Sequence, residues 1–382
     1  MVIKTYNNNI RNDSEPGRQS NGADLKIMIV DDNEISRVFM ENIINEIPGT
    51  VVVDNVPGGR MALFKLRIIP VDLVLLDIEM PEMDGLEVLA RIRIEFPHLD
   101  VVMISAVHEG DADKVVQALE SGALEFIPKN IGKGGSSFGE FRLRLLTILG
   151  LIRARKNFRE SKPTVDTPPR GKPVAVAPVS YPPPMSHSIQ VVAIAVSTGG
   201  PRALAQVIPL LPEDLGVPVF IVQHMPAFLT PSMATSLNGK SKIRVKMADN
   251  GEVIKPNNVY LARGGEHMLV GDNSGRIGTP KRLLLNTAPP ENSVRPSADV
   301  LFRSLPKVYA NQILAVIMTG MGSDGCEGVR LMKQRGCHCL SQTAATCTVY
   351  GMPKAVDEAG FSDEKVPLQL LAGRITSLVQ GK

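Results

Sequence analysis

The sequence predicts an α/β protein of two units, each built on a mostly parallel sheet, with a proline-rich linker between them. Three observations lead there. Short apolar runs that do not alternate with polar residues recur between helical stretches twice along the chain, the pattern of strands buried on both faces. Eight prolines crowd the stretch from Pro163 to Pro184, a density that prevents helix and favours extended chain. The 382 residues suffice for two domains of ordinary size. The expected division is a disordered leader over 1–24, a first domain over 25–156, the linker over 157–187 and a second domain over 188–382.

In the first unit, Lys26 to Val30 reads as a strand and Glu34 to Ile47 as a helix. Val51 to Val53 is a strand and Gly59 to Ile68 a helix. Asp72 to Leu76, Val101 to Ser105 and Leu124 to Ile127 complete five strands, which predicts a doubly wound five-stranded parallel sheet. A closing helix carries Phe141, Leu145, Ile148 and Ile152 on one face. In the second unit, Gln190 to Val196, Val217 to Val222, Gln312 to Met318 and Cys337 to Ser341 read as strands. Helices are expected at Pro201 to Leu211 and Glu327 to Arg335.

Composition excludes several classes. Apolar runs such as Val191 to Val196 and Ile313 to Met318 hold six residues, where a membrane span needs about twenty. The polar start lacks the apolar stretch of a secretory signal. A net charge of +3 is too small to argue for nucleic acid. Cys326, Cys337, Cys339 and Cys347 cluster late in a chain without a signal, which fits a reducing, cytoplasmic setting. Cys337-His338-Cys339 lacks the further ligands of a zinc site, so buried strand cysteines are the better reading.

Carboxylates fall where strands of the first unit end. Asp31 and Asp32 follow the first strand, and Asp77 follows the third in LLDIEMPEMDG. Sites in open parallel sheets form outside these carboxyl ends, so the acids converge. Clustered carboxylates repel without a cation, and such an oxygen-rich group suits Mg²⁺, which can also neutralise an incoming phosphoryl group. Ser105 and Lys129, at two further strand ends, add a hydroxyl and a positive charge. Helix capping would also account for any one of the acids taken alone.

This set resembles the response-regulator receiver family over residues 25–150. The resemblance implies Asp77 as phosphoacceptor, Asp31 and Asp32 as Mg²⁺ ligands with it, and Ser105, Phe126 and Lys129 as switch residues. It implies a histidine kinase as phosphodonor. Asn130 stands where the family usually has proline.

In the second unit, VVAIAVSTGGPRAL runs strand, tight turn, helix, with Ser197 at the turn. Glycines let the chain bend and a substrate approach, and the helix N-terminus offers N–H groups to a developing oxyanion. Glycine-rich turns of this kind also bind phosphates and dinucleotides, and a serine there can be only a cap. A nucleophile needs a base and an orienting acid. His224 ends the strand of VFIVQHMP at the same sheet edge, and Asp324 follows another strand in MTGMGSDG. His267, in RGGEHML, is a weaker candidate, and His338 reads as core or surface filler.

STGGP, VQHMP, RPSADVLF, TGMGSDG and VYGMP, in that order over about 190–375, resemble the catalytic domain of the chemotaxis protein-glutamate methylesterase family. The resemblance implies Ser197 as nucleophile, His224 as general base and then acid, and Asp324 as the residue orienting the imidazole. Thr198, Gly199 and Met321 are implied as oxyanion or substrate contacts. It further implies hydrolysis of receptor glutamate methyl esters with release of methanol, deamidation of receptor glutamines, and methylated chemoreceptor helices as partners. The esterase reaction itself calls for no metal. Ala195, Val196, Val294, Thr343 and Ala344 depart from the family pattern, none of them in the triad. Two rivals are a nucleotide-binding module using residues 197–200, and a DNA-binding regulator. No acidic residue suited to a ribose supports the first, and the α/β alternation lacks the short basic helix-turn-helix of the second.

Overall fold

The computed structural model describes residues 24–106, 111–129, 136–160, 188–271 and 279–381. The leader through residue 23, residues 161–187 of the linker and Asn130 lie outside the described residues. The first unit runs β1 (Leu25–Val30), α1 (Glu34–Asn45), β2 (Thr50–Val56), α2 (Gly59–Leu66), β3 (Leu73–Asp77), α3 (Gly85–Glu95), β4 (Asp100–Ser105), α4 (Ala112–Glu120), β5 (Glu125–Pro128) and α5 (Ser136–Glu160). Its sheet has the order β2-β1-β3-β4-β5 and is parallel throughout. The strands and helices alternate because LVLLD and VVMIS bury every residue, so both faces of the sheet need a helical cover. Phe141, Leu145, Ile148 and Ile152 of α5 are buried against one of those faces.

Boundaries differ from expectation where polarity hides a strand. β2 extends through Asp54 and Asn55 because it is an edge strand whose outer residues meet water. Asp77 is the last residue of β3 and does not follow it. Helix α5 continues to Glu160, into the residues expected to begin the linker.

The second unit continues with β6 (Val191–Val196), α6 (Gly200–Val207), β7 (Val219–Gln223), α7 (Thr230–Lys240), β8 (Arg244–Met247), β9 (Asn258–Leu261), β10 (His267–Gly271) and β11 (Arg282–Asn286). Then come α8 (Ala298–Ser304), α9 (Pro306–Tyr309), β12 (Ile313–Ile317), α10 (Cys326–Lys333), β13 (His338–Gln342), α11 (Met352–Glu358), β14 (Glu364–Val366) and α12 (Leu368–Gln380). Seven strands form a sheet of order β14-β13-β12-β6-β7-β9-β8, every pairing parallel, while β10 and β11 form a separate antiparallel pair. The central β6, β7 and β12 are wholly buried. Their carboxyl ends lie side by side, where the strand order runs outward from β6 in both directions.

The two units pack together. Helix α4 of the first lies against α6 and α7 of the second, and one apolar cluster runs across the boundary. Phe126 meets Phe228 edge to face with ring centres 6.2 Å apart. Among the described residues no helix is long and apolar enough to cross a membrane.

Candidate active site and phosphorylation site

At the carboxyl ends of the first sheet, Asp31, Asp32 and Asp77 each offer an oxygen within 4.8 Å of the others. Asp31 and Asp77 are buried and Asp32 is exposed. Helix capping does not account for them, because Asn33 caps α1 and Asp84 caps α3. Lys129, one residue past β5, places Nζ 2.6 Å from Asp31 Oδ2 and 2.7 Å from Asp77 Oδ2. Burial pushes the Asp77 carboxyl up to about 6, with the Asp31 charge acting in the same direction and Lys129 opposing both. Three hard oxygen donors, two of them buried with a single lysine for compensation, suit a divalent cation such as Mg²⁺. Gly85 is required here: a Cβ would stand 2.1 Å from the Asp77 carbonyl oxygen. Ser105 is buried at the end of β4, and its hydroxyl donates to the Ala106 carbonyl.

In the second unit, β6 ends at Val196 and the chain turns through Ser197 into α6. Gly199 sits at φ 76°, and a Cβ there would lie 2.4 Å from Thr348 Cβ, so only glycine serves. The register pairs Val196 with Gln223, which puts Ser197 and His224 on adjacent strand ends. The buried Gln223 amide fixes that corner by donating to the carbonyls of both Ser197 (3.0 Å) and His224 (2.9 Å). The loop after β12 closes on the same point. Ser197 N–H donates to Thr319 O at 3.0 Å, and a Cβ on Gly320 would fall 2.7 Å from Ser197 Cβ. This loop carries Asp324, whose Oδ2 stands 2.8 Å from His224 Nε2.

Asp324 accepts more than the imidazole. Ser297 Oγ donates to its Oδ1 at 2.6 Å, Ala298 N–H to its Oδ2 at 2.6 Å, and Asn292 Nδ2 to its Oδ1 at 2.8 Å. Burial alone opposes its charge, but the bonds from His224, Ser297 and Ala298 outweigh that and hold the carboxyl well below the usual range. With Nε2 committed to Asp324, Nδ1 is the imidazole nitrogen left as proton acceptor. His224 and Ser197 line the same crevice.

That crevice is narrow. Its free volume is about 20 Å³, room for about one water. Leu119, Leu124, Glu125 and Phe126 of the first unit form one wall. Thr198 Oγ1 donates to Glu125 Oε2 at 3.3 Å, and burial pushes the Glu125 carboxyl up. Glu120 accepts from Ser236 Oγ at 2.9 and 3.0 Å and pairs with Lys240.

The structure thus gathers Ser197, Thr198, Gly199, His224 and Asp324 at one sheet edge. Met321 lies in the same loop as Asp324 with its side chain 42% exposed. His267 is no rival base. It is buried behind the acid, its Nδ1 accepting from Ser297 N–H and its Nε2 facing the Pro289 carbonyl. His338 pairs with Glu364 at 2.9 Å, and Cys337 and Cys339 are buried with their thiols pushed up by that burial. Ala195 and Val196 are wholly buried in β6. Gln223, Asn292, Ser297 and Glu125 were not singled out by sequence reasoning. Gln223 sits inside the quoted VQHMP and Ser297 inside the quoted RPSADVLF, the signals that pointed near them.

Residues 192–375 match the family model described as CheB methylesterase, and residues 27–135 the one described as response regulator receiver domain. A protein-glutamate methylesterase/protein-glutamine glutaminase of Desulfotalea psychrophila is 37% identical over 377 residues, covering 93% of this chain and 99% of that one. A relative of the same name from Halalkalibacterium halodurans is 37% identical over 353 residues, covering 92% and 97%. The crystal structure of the Thermotoga maritima CheB methylesterase catalytic domain is 37% identical and covers 50% of this chain and 100% of that one, with a TM-score of 0.48. The chain belongs to the protein-glutamate methylesterase/protein-glutamine glutaminase family, with a receiver domain ahead of a CheB methylesterase domain.

Proposed function

We propose that this chain is a phosphorylation-controlled serine hydrolase that removes methyl esters from glutamate side chains of chemoreceptors and deamidates receptor glutamines. The observation that carries the reading is the 2.8 Å bond between His224 Nε2 and Asp324 Oδ2 beside Ser197. An imidazole that donates Nε2–H to Asp324 has a bare Nδ1 to take the Ser197 proton. Ser197 Oγ then attacks the ester carbonyl, and the imidazolium returns the proton to the departing methoxide, releasing methanol. Water, activated by the same imidazole, hydrolyses the acyl-serine to glutamate and restores the enzyme. With glutamine the leaving group is ammonia. Thr198, Gly199 and Met321 are assigned to the oxyanion and substrate, next to the start of α6. General-base assistance of this kind is worth about 10²–10⁴-fold.

Control comes from the receiver. Leu119, Leu124, Glu125 and Phe126 of the first unit wall the crevice where a receptor helix would have to meet Ser197, so the packed arrangement is the inactive one. Asp77 takes a phosphoryl group from a histidine kinase, with Ser105, Phe126 and Lys129 as the switch. Asp31, Asp32 and Asp77 would hold Mg²⁺, which supplies charge neutralisation for phosphoryl transfer. β5 links the two ends of this control: Glu125 and Phe126 touch the esterase domain, and Lys129 pairs with Asp77. A substrate on cytoplasmic receptor helices places the enzyme in the cytoplasm. The test is labelling with a fluorophosphonate, which marks a serine activated by its neighbours. Labelling confined to Ser197 and raised by a phosphodonor is expected. Absence of labelling in the presence of phosphodonor would refute the proposal.

A further inference from the structure

A second buried carboxylate stands behind the triad acid. Asp299, in the first turn of α8, is 3% exposed. Its Oδ1 accepts Gly328 N–H of α10 at 2.6 Å. Its Oδ2 accepts Asn292 Nδ2 at 2.8 Å, and the same Nδ2 lies 2.8 Å from Asp324 Oδ1. A side-chain amide has two N–H bonds, so Asn292 spends one on each carboxylate. Asp299 also reaches Asp324 directly, its backbone N–H donating to Asp324 Oδ1 at 3.3 Å.

These contacts hold the two pieces that aim Asp324. Asp324 is two residues ahead of α10, and Asp299 ties that helix to α8 through Gly328. Asn292 lies outside any helix or strand at φ 54°, and the Asp299 oxygen keeps its amide turned toward Asp324. We propose that Asp299 is a positioning residue for the hydrolytic reaction, acting on His224 through Asn292 and Asp324, and only when ionised. The proposal rests on the reading of Ser197, His224 and Asp324 as the reacting set.

The ionisation requirement follows from the hydrogen bonds. Both Asp299 oxygens accept from N–H groups, and a proton on either one turns an acceptor toward a donor. The groups facing Asp299 are Asp324 from the loop before α10, Cys326 from α10, Glu291 from the preceding loop and Arg303 from its own helix. Arg303 is bonded to Glu291, so it does not neutralise Asp299 outright. Burial pushes Asp299 up to about 6, the Asp324 charge adds to this, and the Gly328 and Asn292 bonds oppose it. Asp324 stays charged through that range, so Asp299 takes the proton first.

The experiment is the pH profile of kcat for basal methanol release by the full chain carrying Asp77→Asn, taken as the parent here, with saturating methylated receptor, so that titration of the phosphoacceptor does not enter. If Asp299 must be deprotonated as well as the base, the acid limb of log kcat reaches a limiting slope approaching two. D299N removes one of these ionisations, so its slope approaches one, and its kcat at pH 8 drops about 10- to 100-fold with KM within about twofold, as expected for a misplaced reacting group. N292A removes the bridge from an exposed residue, so it leaves the core closed. Its loss should not multiply with that of D299N, because both act through one chain of contacts. A slope of one in the parent enzyme, or D299N activity and slope equal to the parent's, overturns the proposal. The parent profile keeps the test decisive if D299N does not fold. S197A separates the two readings: an active S197A refutes the triad, whereas an inactive S197A with a parent-like D299N refutes Asp299 alone.

Discussion

Replacing Glu120 with alanine tests the inhibitory packing without touching the reacting residues. Glu120, at the end of α4, accepts one hydroxyl hydrogen from Ser236, shared between its two oxygens, and pairs with Lys240, both on α7. A hydrogen bond to a charged acceptor contributes about 1.5–3 kcal/mol net. Lys240 is nearly half exposed, so that pair adds at most about 1 kcal/mol. A loss of about 2 kcal/mol shifts the balance between packed and separated domains about 30-fold. Only the packed form makes these contacts, so the whole loss acts on that balance. Methanol release without phosphodonor should rise by about this factor, limited by the fully activated rate, and stimulation by phosphodonor should shrink to match. The rate with saturating phosphodonor should stay as in the parent. A folded E120A enzyme with parent-like basal rate and stimulation would refute the view that this interface holds the enzyme off.

Asp77→Asn should leave basal methanol release intact and remove its stimulation by phosphodonor. Chelating Mg²⁺ should block phosphorylation of the receiver, followed by reductive trapping of the aspartyl acyl phosphate, while basal esterase rate is unchanged. Gly320→Ala puts a Cβ 2.7 Å from that of Ser197 and should lower kcat about 10²-fold, checked by methanol release beside a thermal melt showing retained fold. Asp324 is held below its ordinary carboxyl value in the folded chain, so its contribution to stability is full above about pH 4 and fades as pH falls further. The parent melting temperature should therefore drop more steeply below pH 4 than that of Asp324→Asn.

What the sequence made legible follows from which signals are local. The central strands are continuous apolar runs, so their existence and order of appearance could be read directly. The same burial rule placed Asp31, Asp77, Ser197 and His224 at strand ends, because a polar residue that closes an apolar strand marks its exit. Edge elements were harder. β8 (RVKM), β14 (EKV) and the β10–β11 pair mix exposed with buried residues, and such short patterns also fit loops. The support of Asp324 was illegible for another reason. Asn292 and Ser297 reach it across 32 and 27 residues, through a loop whose path depends on the packing of α8 against α10. His267 shows the same limit: its place beside two glycines fits a base, and only the fold turns it toward Ser297 and Pro289. The wall over Ser197 depends on how α4 and β5 meet the second domain, which no spacing within either domain encodes.

The most direct test of the account is methanol release from methylated receptor by the full chain, with and without phosphodonor, alongside Ser197→Ala. The predicted result is low release from the unmodified enzyme, a marked rise on phosphorylation, and none above background from the serine variant under either condition. Equal release by parent and variant, or a parent rate indifferent to phosphorylation, would contradict it.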